Sequence, residues 1–195
     1  MKLDEKVEMY ERLVRLSRHI VNECSRVISA FHTGGGEVLQ GPDAEVKEML
    51  ELMTTRPEMW AHAEGAVRIA LQEYAEARVL QEVAGQALKK YAEAKVLQGV
   101  LEGETLAGLE LPGPGGAYLL GICDAIGELK RYFLEKMIAK EYEDARHVLE
   151  VAKTLFDYIS GFNYPDAIIR SLRHKKDAAR ITLNSMLMVY AEKCA

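Results

Sequence analysis

The sequence predicts an all-α protein, a single-domain bundle of about seven helices spanning residues 1–195. Three observations lead there. Apolar residues recur at the three- and four-residue spacing of a helix face. No useful length of chain alternates apolar and polar with the period of two that a half-buried strand needs. Prolines at 42, 57, 112, 114 and 165, with glycine clusters at 34–36 and 111–116, cut the chain into helix-length pieces. Proline has no N–H to give a helix interior, so each one marks a boundary.

The first helix is read over 2–32. Leu13, Val14, Leu16, Ile20, Val21, Val27, Ile28 and Phe31 share one arc, and Arg12, Arg15, Arg18, His19, Asn22 and Arg26 fill the other. That polar arc is net positive and reads either as a solvated face or as a stripe contacting phosphates. Helices follow over 43–55, 58–84 and 86–102. The last two carry a repeat: Tyr74-Ala-Glu-Ala-Arg-Val-Leu-Gln-Glu-Val returns seventeen residues later as Tyr91-Ala-Glu-Ala-Lys-Val-Leu-Gln-Gly-Val. Seventeen residues are close to a whole number of helical turns, so both copies face one way, about 25 Å apart on an unbroken helix. After the loop at 111–116 come helices over 116–139, 140–161 and 165–193. Near the end Arg170, Arg173, Lys175, Lys176 and Arg180 outnumber Asp177, forming a second basic cluster around His174.

Composition sets the function classes. Of 195 residues, 49% are hydrophobic, enough for a core and too many for a disordered chain. A net charge of −5 gives no bulk electrostatic case for nucleic acid. Apolar runs fall far short of a membrane span, and the opening Met-Lys-Leu-Asp-Glu-Lys is not expected to act as a signal peptide. Cys24, Cys123 and Cys194 form neither a disulfide framework nor a zinc pattern, and suit a reducing, cytoplasmic setting.

The chemistry lies in acids placed where a helix ought to be greasy. In the window 111–129 the only charges are Asp124 and Glu128, four apart and so on one helix face, with Ala117, Gly121 and Gly127 beside them. Glu73 and Glu76 fall in the apolar arc of their helix among Ala66, Ile69, Ala70, Ala77, Leu80 and Val83, opposite Arg68, Arg78 and Glu82. Buried carboxylates are costly unless paired with cations or bound to metal. Mg²⁺ or Mn²⁺, hard ions that prefer oxygen, suit such a set; pairing with buried arginine or helix capping is the structural alternative. Iron fits less well, because a di-iron bundle needs two Glu-x-x-His units and the nearest approach is Asp144-x-x-His147. No His-Glu-x-x-His, phosphate-binding Walker loop or nucleophile elbow is present. A carboxylate-held divalent ion activates water and steadies charge on a phosphate, so phosphodiester hydrolysis is the coherent chemistry.

Four stretches carry a resemblance. Glu11 to His32 resembles the N-terminal helix of translin-associated factor X (TRAX), ALQEYAEA (70–77) its catalytic helix, YLLGICDAIGELKR (118–131) its other acidic helix, and LRHKKDAAR (172–180) its closing helix. The short loops suggest a compact, archaeal-type, translin-like chain. The resemblance implies an all-α, oligomeric protein, typically a closed hollow homo-octamer. It also implies a metal-dependent endoribonuclease, with Glu73, Glu76, Asp124 and Glu128 as catalytic and metal-holding acids facing the interior. Translin itself lacks these acids and binds nucleic acid without cutting it. In the second repeat copy, lysine replaces the glutamate before the tyrosine, which leaves Glu93 as a reserve ligand. The expectation is therefore a Mg²⁺- or Mn²⁺-dependent RNase. Arg12, Arg15, Arg18, Arg26, Arg173, Lys175 and Lys176 are its candidate contacts to single-stranded or short duplex RNA, and to single-stranded DNA. A non-catalytic nucleic-acid-binding shell and a plain helical scaffold are the alternatives.

Overall fold

The computed structural model describes residues 3–33, 42–85 and 115–194. Among them run α1 (Leu3–Thr33), α2 (Asp43–Thr55), a 3-10 turn (Pro57–Met59), α3 (Trp60–Gly85), α4 (Gly115–Ile138), α5 (Tyr142–Ser160) and α6 (Leu172–Cys194), and no strand. The protein is all-α, as its periodicity predicts. The helix read over 86–102, with the second repeat copy and Glu93, lies outside the described residues, as does the glycine run 34–36. Contacts gather into two compact units. Among the described residues, the first holds α1, α2, the 3-10 turn, α3 through Gln81 and the start of α4 through Gly121; the second holds the end of α3 from Glu82, α4 from Ile122, α5 and α6.

In the first unit α1 buries Leu13, Ser17, Ile20, Cys24 and Val27, spaced four, three, four and three apart. Such spacing makes a narrow seam down one side of a helix. The broader arc read from sequence is only half-buried at Val14, Leu16, Val21, Ile28 and Phe31. Full burial of a residue such as Leu13 or Ile20 contributes about 2 kcal/mol. α2 meets this seam through Val46, Met49 and Met53, and Ser17 Oγ lies 3.5 Å from Met49 Sδ. Proline sets the turn between α2 and α3: Pro57 opens the 3-10 turn and Met59 closes it in the core.

In the second unit α5 buries Ala145, Val148, Leu149, Ala152, Leu155 and Ile159, a single stripe. α6 answers with Leu172, Lys176, Ala179, Leu183 and Met186, again alternating four and three. Ile126, Leu129 and Phe133 of α4 are fully buried. α4 ends by a reversal: the Glu141 N–H donates to Lys136 O at 2.9 Å and the Lys140 N–H to Met137 O at 3.2 Å, with Lys140 at φ 62°. This is the Schellman pattern, which glycine fills most cheaply. The Lys136 ammonium reaches Glu141 Oε2 at 2.5 Å and Asp144 Oδ2 at 3.7 Å, tying the end of α4 to the start of α5.

One boundary differs from the sequence expectation. The last helix begins at Leu172, not at 165. Pro165 starts a turn instead, its carbonyl accepting from the N–H groups of Ile168 and Ile169, and Ser171 at φ 69° breaks the backbone immediately before α6.

Lys140→Gly removes the left-handed penalty of a side chain at that position. It is expected to raise unfolding free energy by roughly 0.5–1 kcal/mol after the flexibility cost of glycine. Urea denaturation reads this directly, and a midpoint at or below that of the parent chain would count against it.

Candidate functional site

The middle of α3 is enclosed on nearly every side. Ala70, Leu71, Tyr74, Ala75, Ala77, Val79 and Leu80 are all buried, and Glu76 among them is only 7% exposed. Glu73, one turn earlier, is half-buried. The apolar arc expected from sequence holds at Ala70, Ala77 and Leu80 but not at Ile69, which is exposed.

The start of α4 lies directly on this part of α3. A Cβ built on Gly121 would sit 2.5 Å from Gln72 O, 2.8 Å from Ala75 Cβ and 3.0 Å from the Glu76 backbone nitrogen. Only glycine permits that approach. The small-residue stripe beside the acids therefore has a role at Gly121 and at buried Ala117, whereas Gly127 is exposed and meets nothing.

Around the α3 acids the first unit gathers further polar groups that local spacing does not reveal. The Tyr74 hydroxyl donates to Asp43 Oδ1 at 2.7 Å, and Arg78 Nη1 lies 3.8 Å from Asp43 Oδ2. Burial, then this carboxylate, push the Tyr74 hydroxyl well above the ordinary phenol range. Arg78 Nε and the Tyr118 hydroxyl are buried without a hydrogen-bond partner among the described residues. Cys24, fully buried on α1, has its thiol pushed up to about 12, first by burial and then by the carboxylates of Glu73 and Glu76.

In the second unit Asp124 and Glu128 stand one turn apart on α4, both half-buried. Lys175 of α6 donates through one ammonium to both carboxylate oxygens of Asp124. Both side chains are 27% exposed. The neighbouring Cys123 thiol is raised to about 12 by burial and by Asp124, with Lys175 and Lys176 opposing the rise.

The seven basic candidates divide. Arg12 binds Glu48 of α2 through Nε at 2.9 Å, and Arg26 pairs with Glu23 on its own helix. Lys176 is buried, and its ammonium reaches Phe162 O at 2.6 Å, Ser160 O at 3.2 Å and Asn163 Oδ1 at 3.2 Å. It ties down the end of α5 and is withdrawn from any phosphate, a correction to its reading as a surface contact. Lys175 is held by Asp124. Arg15, Arg18 and Arg173 are exposed, with no ion pair among the described residues.

Two carboxylates one turn apart are the kind of donor set that Mg²⁺ takes, since it binds through one or two carboxylates and keeps several waters. Each pair offers oxygen donors of that kind, and among the described residues no three His, Cys, Asp or Glu side chains converge. No described helix is long and apolar enough to cross a membrane.

Comparison with known proteins gives a consistent picture. The Translin family profile matches residues 8–185. The uncharacterized protein MJ0175 of Methanocaldococcus jannaschii is 25% identical over 183 residues, 91% of this chain and 73% of its own length. The crystal structure of AfC3PO superposes with a TM-score of 0.72 at 25% identity, covering 97% of this chain and 92% of that one. The AfC3PO–duplex RNA complex gives 0.71 at 24% identity, over 97% and 91%. Apo-NeC3PO gives 0.60 at 21% identity, over 97% and 92%, a likeness of fold alone.

Two outcomes follow from this geometry. Gly121→Ala forces a methyl against the α3 backbone and is expected to destabilise the protein by about 1–3 kcal/mol in chemical denaturation; no loss would mean the helices do not touch there. Thiols at Cys24 and Cys123 stay neutral in the fold to about pH 12, against about 9 when unfolded. Their contribution to stability is therefore complete below pH 9 and lost progressively above it. Iodoacetamide at pH 8, followed by peptide mapping, should modify both only after denaturation; ready labelling of the native chain would contradict their burial.

Proposed function

This chain belongs to the translin family, and from that premise we propose that it binds RNA as an oligomeric shell and cleaves it with the help of Mg²⁺ or Mn²⁺. The observation that carries the catalytic part is Glu76. An ionisable carboxylate 7% exposed in the most enclosed stretch of α3, with Glu73 one turn away, is the kind of acid that collects at functional sites. The resemblance to TRAX assigns catalytic acids to these positions and to Asp124 and Glu128. RNA as the substrate is supported by the AfC3PO–duplex RNA complex, whose protein shares the fold. Homo-octameric assembly and a cytoplasmic location belong to the same proposal.

The residues have distinct parts to play. Glu73 and Glu76 in the first unit, and Asp124 and Glu128 in the second, are the negative oxygen donors that would hold and orient a divalent ion. When bound, that ion would acidify a water and neutralise charge developing on the scissile phosphate. Glu76 is buried in a stretch of α3 rich in buried alanine, at 70, 75 and 77, and the lower local dielectric of such a place would strengthen its hold on a cation. Arg15, Arg18 and Arg173 are the exposed guanidinium groups left to grip the RNA backbone, each able to take a phosphate in a bidentate fashion.

A purified-chain assay on single-stranded and short duplex RNA tests this. Cleavage is expected with Mg²⁺, none with EDTA, and a loss of about a hundredfold or more in Glu76→Ala and in Asp124→Ala. Undiminished cutting by both variants would overturn the assignment of the acids. Salt-sensitive binding without cleavage under any condition would instead favour the non-catalytic shell.

A further inference from the structure

We propose that the Lys175 ammonium is the resident counter-ion of Asp124, and that a divalent ion gains this carboxylate only by displacing it. The inference rests on the reading of Asp124 as a metal-binding acid, and it adds a residue that sets how readily the metal enters. One ammonium donates to both oxygens of Asp124, so it spans the edge of the carboxylate that a chelated cation would use. Two cations cannot share that edge without strong repulsion.

The contact is built into the fold. Lys175 stands in the first turn of α6, where its N–H donates to Ser171 O at 3.0 Å and Ser171 takes a positive φ of 69°. The adjacent Lys176 is buried and anchors that turn through its bonds to Ser160, Phe162 and Asn163. The backbone under Lys175 is therefore braced from both directions. At 27% exposure the pair is partly shielded from water, unlike Arg12 and Glu48, whose side chains are 53% and 40% exposed. Shielding strengthens the hold of lysine on Asp124 beyond that of an open surface pair. A lysine also suits displacement, because its compact charge rides on a flexible stem and can leave without moving the helix. In the metal-free chain it keeps Asp124 oriented; in the loaded chain its place belongs to the metal.

Mn²⁺ binding to the full chain, followed by calorimetry and by electron paramagnetic resonance of the free ion at fixed pH, separates the possibilities. Lys175→Met is expected to bind Mn²⁺ about tenfold more tightly than the parent, as expected when one competing charge is removed from a carboxylate. Its melting temperature in EDTA should fall, and should recover further on Mn²⁺ addition than that of the parent. Lys175→Arg keeps a cation on Asp124 and should bind no more tightly than the parent. Equal or weaker affinity in folded Lys175→Met, or tighter affinity in Lys175→Arg, overturns the inference. If Asp124→Asn abolishes binding while Lys175→Met leaves it unchanged, only the role of the lysine fails. If Asp124→Asn binds as the parent does, the reading of Asp124 as a ligand fails, and the inference with it.

Discussion

The first unit depends on one backbone-to-backbone approach. At Gly121 the start of α4 comes so near α3 that no side chain fits between them. Helices usually pack with side chains as spacers, 8–10 Å between axes. Removing the spacer brings α4 against the turn of α3 that carries Gln72, Ala75 and Glu76, and alanines at 70, 75 and 77 leave α3 slender where it is most enclosed. Large side chains there would push the helices apart and open Glu76 to water. Small residues and a buried acid are thus two aspects of one arrangement: the first creates the enclosure, and the second gives that enclosure its chemical meaning.

The distribution of charge follows from the same packing. A net charge of −5 suggests a uniformly acidic surface, but the pairings sort the ions into groups with different work. Arg12 joins Glu48 to tie α1 to α2, Lys136 joins Glu141 and Asp144 at the α4–α5 corner, and Lys176 serves carbonyl oxygens. These groups hold the helices in place. Arg15, Arg18 and Arg173 remain at the surface, and the acids of α3 and α4 sit partly or wholly inside. The sum over all residues conceals that separation.

Local pattern was legible where one periodicity or one breaker dominated. Pro42 and Pro57 bracket α2, and the seams of α1 and α5 follow from apolar spacing alone. The acidic residues stood out because Asp124 and Glu128 are the only charges in their window. Pro165 misled, because proline suits the first turn of a helix and an ordinary turn equally well. Ile69 misled because α3 is buried nearly all round near its middle, so a single arc describes it poorly. The bond between Lys175 and Asp124 joins residues 51 apart in sequence, and the Tyr74–Asp43 bond spans 31. No helical wheel relates such positions, since only tertiary packing brings them together. The same limit made Lys176 look like a surface cation when its carbon stem is in the core.

α4 also orders events during synthesis. The first unit consists of residues up to Gln81 and a short piece ending at Gly121, with other chain between them. Its N-terminal helices leave the ribosome well before the segment that completes them. Domains generally fold as units while the chain grows, so the contact of α3 with Gly121 must wait through that interval. The second unit has no such gap after Ile122, because α4, α5 and α6 emerge in succession and contacts between sequence neighbours form fast. Completion of the earlier unit therefore waits for this helix, whose remaining turns belong to the later one.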